Sequence, residues 1–211
     1  MKLIKASYQV MSDIAPDTIM RNIELAGRTC YKSEDKITTD SSSKFVRMII
    51  GRGHESVLEH EKITVRFICD RGVSHELVRH RIASFSQEST RYCNYSKDGF
   101  GNELTFIMPL FEDDGTEVAS DEEIEWRNAM RDAERHYMNL IKLGWQPQYA
   151  RSVLPNSLKT EIVVTANIRE WRTIFKQRTS KAAHPQMREL MCPLLNELKK
   201  ILPDLFFDID A

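Results

Sequence analysis

Ile63, Val65, Phe67 and Cys69 alternate with Thr64, Arg66 and Ile68. A period of two belongs to a β-strand, whose successive side chains leave opposite faces. One face of this strand is apolar throughout, so the fold must bury it and place other strands beside it. Residues 158–166 are rich in β-branched side chains and read as a second long strand. Residues 1–6 and 104–108 read as short strands, the latter ended by Pro109.

Helical signals fall between these strands without a regular rhythm. Pro16 and Asp17 open a helix reaching about residue 30, with Ile19, Ile23 and Ala26 at helical spacing. Ser41-Ser42-Ser43 precedes an apolar helix over 45–50, and Gly72 precedes a helix over 74–83. The strongest element is 120–143, where Ser120 and Glu123 have capping-box spacing. Its apolar stripe is Trp126, Met130, Ala133, Tyr137 and Leu140, and Gly144 closes it. Asn167 stands as the N-cap of a helix through Arg178, and a last helix covers 185–201 before Pro203. This order does not suit parallel βαβ units. It predicts an α+β fold with an antiparallel or mixed central sheet flanked by helices.

The 211 residues predict one domain, 1–211, able to bury roughly 70% of its unfolded surface. Lys plus Arg number 30 and Asp plus Glu 31, a net charge of −1 that argues against general binding of nucleic acid. Hydrophobic residues make up 41%, enough to argue against disorder. No apolar run approaches the length of a membrane span, and residues 1–6 do not read as a signal peptide. Cys30, Cys69, Cys93 and Cys192 form no C-x-x-C pair, which points away from zinc and disulfides and toward a reducing cytoplasm. His54, His60, His75 and His80 fit no H-E-x-x-H spacing, so no metal is expected.

The near-zero charge is an average. Residues 112–125 hold eight acids and no base, whereas 151–188 hold eight bases and two acids. The basic excess reads as solvated surface or as a pocket for an anionic ligand. In the helix after Asn167, Ile168, Trp171, Ile174 and Phe175 define the buried stripe, and Arg178 falls on it. Such an arginine snorkels at the helix end, or meets a partner or ligand.

Chemistry is densest at 76–92. On the expected helix, Arg79, His80 and Arg81 would fan out by about 100° each, and Glu76 could pair with Arg79 or His80. Residues 84–91 read as a hydroxyl-rich loop ending in Arg91, a composition suited to a phosphate. A salt-bridged surface helix fits the same composition.

The spacing is more specific than the composition. Arg79-His80-Arg81, then seven residues, then Ser89 resembles the R-H-R-x7-S signature of the flavin-dependent thymidylate synthases. Gly53-His54-Glu55-Ser56-Val57-Leu58-Glu59-His60 resembles the family's G-H-E-[ST]-x-x-E-H segment, and Arg151-Ser152-Val153-Leu154-Pro155 its A-R-x-x-L-P segment. The resemblance spans about residues 45 to 190, in the family's order.

What the resemblance implies is reductive methylation of dUMP to dTMP. The carbon donor is 5,10-methylenetetrahydrofolate, FAD carries the hydride, NADPH supplies the electrons, and a homotetramer shares its sites between subunits. It assigns dUMP to Glu76, Leu77, Val78, Arg79, Gln87, Glu88, Ser89, Thr90, Arg91, Arg151 and Arg178. It assigns FAD to His54, Ser56, Arg79, His80, Arg81, Gln87, Asn167, Ile168, Arg169 and Thr173. Arg178 matches the arginine that activates uracil. A fixed cation there favours loss of the N3 proton and stabilises the anion, so no cysteine nucleophile is required. Ser89 has no obvious general base beside it and reads as a dUMP ligand. Many relatives have Gln where this chain has Glu76, Asn where it has Ser86, and Glu where it has Gln87; nothing carries over onto 181–188. The competing reading is a nucleotide- or RNA-binding module that places Arg79, Arg81, Arg91 and Arg151 on phosphates.

Overall fold

A computed structural model describes residues 1–111 and 119–210. In chain order the elements are β1 (Lys2–Ile4), β2 (Ser7–Val10), α1 (Pro16–Thr29), α2 (Ser41–Gly51), β3 (Lys62–Asp70), α3 (Arg71–Leu77) and β4 (Ala83–Gln87). There follow β5 (Thr105–Ile107), α4 (Asp121–Lys142), α5 (Pro147–Ala150), β6 (Lys159–Asn167), α6 (Ile168–Arg178), α7 (Pro185–Ile201) and α8 (Pro203–Phe206). The acidic run read at 112–125 lies outside the described residues over 112–118.

Four strands form a sheet in the order β2-β3-β6-β4. β1 pairs with β5 in parallel, Lys2 opposite Thr105, and Phe106 bridges Leu158 antiparallel. The fold is α+β with mixed strand pairing, as the sequence predicts. The alternation that predicted β3 is its burial pattern: Ile63, Val65, Phe67 and Cys69 are inaccessible to solvent. β6 alternates the same way, with Thr160, Ile162, Val164 and Ala166 inward.

Contacts cluster the chain into two compact units, residues 1–7, 68–77 and 86–162 in one, 8–67, 78–85 and 163–211 in the other. The core of the first unit joins Leu104, Phe106 and Leu158 to the inner face of α4, Met130 and Tyr137. α4 starts as read, with the Ser120 hydroxyl accepting from the Glu123 amide at 3.2 Å. Its end is marked by Gly144 at φ +90°, a backbone conformation that suits glycine. In the second unit Trp171 stacks on Phe175, ring centroids 5.5 Å apart, and Phe206 meets Phe175 edge-on. The indole N–H of Trp171 donates to the Ile63 carbonyl at 3.0 Å, satisfying its one donor in the core.

Two expectations fail at the same place. The helix expected over 74–83 is α3, which starts at Arg71 and stops at Leu77, so residues 78–82 are not helical. The loop expected over 84–91 begins as strand β4. The physical reason is the neighbouring strand. β4 lies at the sheet edge beside β6, and edge pairing satisfies backbone groups that a longer helix would have used. Its polar residues are the exposed half of a strand: Ser84 and Ser86 face solvent. β2 was not foreseen, and α2 starts four residues before the expected helix.

Candidate functional site

Within the second unit, α6 is the organising element. Asn167 caps it as read, its Oδ1 accepting from the Glu170 amide at 2.8 Å. The helix then carries Arg178 in its last turn, where a cation suits the helix dipole. Arg178 is half-buried and does not simply snorkel. Its Nε donates to His80 Nε2 at 3.0 Å. His80 is 5% exposed, and its Nδ1 lies 3.5 Å from Glu170 Oε1.

These contacts settle the state of the ring. A guanidinium only donates, so Nε2 is the bare nitrogen and the ring proton sits on Nδ1, facing Glu170. Burial, and secondly the charge of Arg178, lower the His80 pKa to about 4, so the ring is neutral at physiological pH. Burial likewise raises the Glu170 carboxyl. Helix α3 stops at Leu77, so helical spacing does not relate Glu76 to Arg79 or His80, and Glu170 is the carboxylate beside the His80 ring.

His80 therefore points into the protein, whereas its neighbours Arg79 and Arg81 are exposed. Arg81 and Asn167 line a polar cleft of about 360 Å³ together with Lys62 and His60. Arg169 is exposed and held by Glu59 at 2.6 Å. The Thr173 hydroxyl donates to the Arg169 carbonyl one turn back. The Ile168 side chain is in the core, so only its backbone can meet a ligand. His54 and Ser56 are exposed and line a separate cavity between α1 and α2.

Within the first unit the chain from the end of β4 onward is fixed by its own side chains. Gln87 Nε2 donates to Ser74 Oγ at 2.8 Å and to Thr160 Oγ1 at 3.2 Å. The Glu88 carboxylate accepts from Lys159 at 2.8 Å and from the Tyr95 hydroxyl at 2.8 Å. The Ser89 hydroxyl accepts from the Arg91 amide at 3.3 Å, and its carbonyl accepts from the amides of Tyr92 and Cys93. That leaves Ser89 holding a turn. Thr90 is buried and accepts from Arg151 at 3.4 Å, while Arg91 lies over the Tyr92 ring. Leu77 is in the core; Val78 is exposed and Glu76 half-buried.

Three charged residues that matter here were not singled out by the sequence. Glu170 stands three residues past the N-cap, and that spacing was its visible signal. Lys159 bridges Glu88 and Glu161. Arg172 is the fully buried arginine of α6, bound to both oxygens of Asp208 at 2.8 and 2.7 Å and to Glu55 at 3.1 Å. It follows Trp171 on the buried face, a position that helical spacing alone did not separate from that of Arg178.

In the second unit, α6 carries a fixed arginine, Arg178, against a buried histidine and the carboxylate of Glu170, an arrangement suited to an anionic ligand. The family described as thymidylate synthase complementing protein matches residues 14–204. The chain belongs to that family, and is a methyltransferase. A flavin-dependent thymidylate synthase of Pyrococcus abyssi is 35% identical over 172 residues, covering 80% of this chain and 67% of that protein. Proteins of the same description from Geobacter sulfurreducens and Mycobacterium tuberculosis are each 34% identical, over 88% and 90% of this chain and 80% and 79% of theirs. A UMP/dUMP methylase from Streptomyces cacaoi, PolB, solved with 5-Br dUMP, superposes with a TM-score of 0.75 over 98% of this chain and 96% of its own, at 22% identity. That last likeness is one of fold. No described helix is long and apolar enough to cross a membrane, and no described group of three or more His, Cys, Asp or Glu could hold a metal ion.

Proposed function

We propose that this chain converts dUMP to dTMP with FAD as hydride carrier, 5,10-methylenetetrahydrofolate as carbon donor and NADPH as electron source. The observation that carries the reading is the anchoring of Arg178 by a buried, neutral His80 backed by Glu170. Methylation at uracil C5 needs electron density there. A guanidinium held in place beside the ring stabilises the negative charge left when N3 loses its proton. Because His80 is neutral, it fixes Arg178 without adding a second cation beside the substrate. Arg79, Arg91 and Arg151 serve the phosphate of dUMP, since exposed guanidiniums bind phosphate bidentately.

The donor set fits FAD. Arg81, Lys62 and Asn167 stand together at the N-terminus of α6, a setting that favours a diphosphate. FAD, when bound, supplies the hydride chemistry. Arg81, Lys62 and Asn167 would hold its diphosphate, and His54 and Ser56, from the segment before β3, would contact it. We propose further that the chain works in the cytoplasm as a homotetramer in which different subunits contribute to one site.

Arg178→Ala is the deciding experiment. Tritium release from C5-labelled dUMP should fall by about two to three orders of magnitude, with FAD and dUMP binding retained. Unchanged turnover would reject the assignment of Arg178, and a protein that takes up no FAD would reject the reading as a whole.

A further inference from the structure

Glu88 is where the chain leaves the sheet. Its amide donates to the Glu161 carbonyl at 2.9 Å, one residue beyond the end of β4. A turn follows at once, closed by the Ser89 carbonyl, which accepts from the amides of Tyr92 at 3.1 Å and Cys93 at 2.9 Å. The turn carries Arg91, and its buried Thr90 accepts from Arg151 at 3.4 Å. Two of the three arginines assigned above to the phosphate of dUMP therefore depend on where this turn sits.

The Glu88 side chain is turned into the protein. Its Oε2 accepts from Lys159 Nζ and its Oε1 from the Tyr95 hydroxyl, each at 2.8 Å. Lys159 also donates to Glu161 Oε1 at 2.6 Å, so one ammonium serves two carboxylates. The Glu88 side chain is 13% exposed and that of Lys159 19%, whereas Glu161 is wetter at 32%. Burial alone would lower the Lys159 pKa, but the two carboxylates outweigh it and raise it, so the ammonium keeps its charge. Burial, and secondly the charge of Glu88, push the Tyr95 hydroxyl up, so it keeps the proton it donates. Tyr95 is itself buried between Phe100 and Tyr137, with ring centroids 5.3 and 5.9 Å away, and makes a fixed post.

A carboxylate tied at both oxygens has little capacity left for a ligand. Set free beside the turn, it would compete with a phosphate for the same arginines. Of its two partners, only Lys159 carries the charge that cancels it. We infer that Lys159 is a positioning residue of the dUMP site: it neutralises Glu88 and locks it against Tyr95, so that the turn offers Thr90 and Arg91 to the nucleotide while the Glu88 carboxylate stays inside the protein. The inference rests on the dUMP reading above. It gives Glu88 a supporting role in place of the direct contact that the resemblance implies. Lys159 and Glu88 lie 71 positions apart, so no local pattern relates them.

The test compares Lys159→Met, Lys159→Arg and the double variant Lys159→Met with Glu88→Gln, each loaded with FAD and checked by its thermal melt. Affinity for dUMP is read by calorimetric titration, and order in the turn by hydrogen exchange of the Tyr92 and Cys93 amides. Lys159→Met should weaken dUMP about tenfold or more and speed exchange at both amides, acting on KM more than on kcat. Lys159→Arg keeps the charge and should recover most of the affinity. The double variant leaves no buried charge unpaired, and its Gln can still accept from Tyr95, so it should bind dUMP better than the single one. A double variant that binds no better would mean that Glu88 meets dUMP directly, and would overturn the inference. So would Lys159→Met with dUMP affinity within about twofold of wild type. Should Lys159→Met not fold, Lys159→Gln, which still donates but brings no charge, takes its place in the comparison. A wild-type protein that binds no dUMP would overturn the function reading instead. Exchange in the turn then decides alone whether Lys159 holds it, and rates equal to wild type would overturn that too.

Discussion

Arg178 Nε donates to His80 Nε2 across 3.0 Å, joining the last residue of α6 to the middle of the R-H-R triplet. If this bond aims the guanidinium, its loss should act on turnover more than on substrate affinity. His80→Ala should lower kcat about ten- to a hundredfold with KM for dUMP little changed. His80→Gln places a carbonyl oxygen near the position of Nε2 and should recover much of the loss. Equal damage from both variants, tracking only their melting temperatures, would reduce His80 to a packing residue.

The same histidine makes stability depend on pH. Its pKa is about 4 in the folded chain against an ordinary 6.5, so between those values the unfolded chain binds the extra proton. Stability from this group is complete above pH 6.5 and declines as pH falls toward 4. The raised Glu170 carboxyl works in the opposite sense over the acidic part of that range. Denaturant midpoints measured across the window should fall more steeply in wild type than in His80→Gln. Parallel curves would contradict the assignment.

Gly27 offers a case in which two effects compete. Alanine in a helix is favoured over glycine by about 1 kcal/mol. A Cβ at this position would lie 2.5 Å from the Phe45 ring, closer than real atoms approach. Overpacking of this kind costs about 1–3 kcal/mol, so Gly27→Ala should be net destabilising. Adding Phe45→Leu should restore part of the loss. A melting temperature that rises in the single variant would show that the ring moves at little cost.

Arg172 is fully buried and holds Asp208 and Glu55. Arg172→Met keeps much of the volume but takes from Asp208 its bidentate cation and from Glu55 the nearer of its two, leaving Lys176 at 3.9 Å. The expected loss is about 3–5 kcal/mol by urea denaturation. The triple replacement of Arg172, Asp208 and Glu55 by apolar residues should lose less than the single change. A single variant within about 0.5 kcal/mol of wild type would mean the pair is solvated in practice.

Much of the fold was legible because periodicity and caps are local signals. β3, β6, α1, α4, α6 and α7 stand close to where apolar spacing put them, and the caps of α4 and α6 are formed by Ser120 and Asn167 as read. The failures cluster at 74–91, where helix-like spacing and polar composition were overridden by a neighbouring strand. Among the candidate site residues, the sequence singled out Arg178 and the triplet, but it could not name Glu170 as the carboxylate behind His80. Those two residues lie 90 positions apart, and no local pattern relates them.

The sequence by itself therefore determined which segments are strand or helix, which faces are apolar, and which residue types are available for chemistry at one end of α6. The tertiary structure decided which charges meet. It placed His80 in the interior between Arg178 and Glu170, spent the Arg28 charge on Glu24, and set Glu88 between Lys159 and Tyr95. Secondary structure follows from interactions a few residues apart. Protonation state and charge pairing depend on burial and on partners brought together only by folding, so they are written in the packing and not in the local pattern.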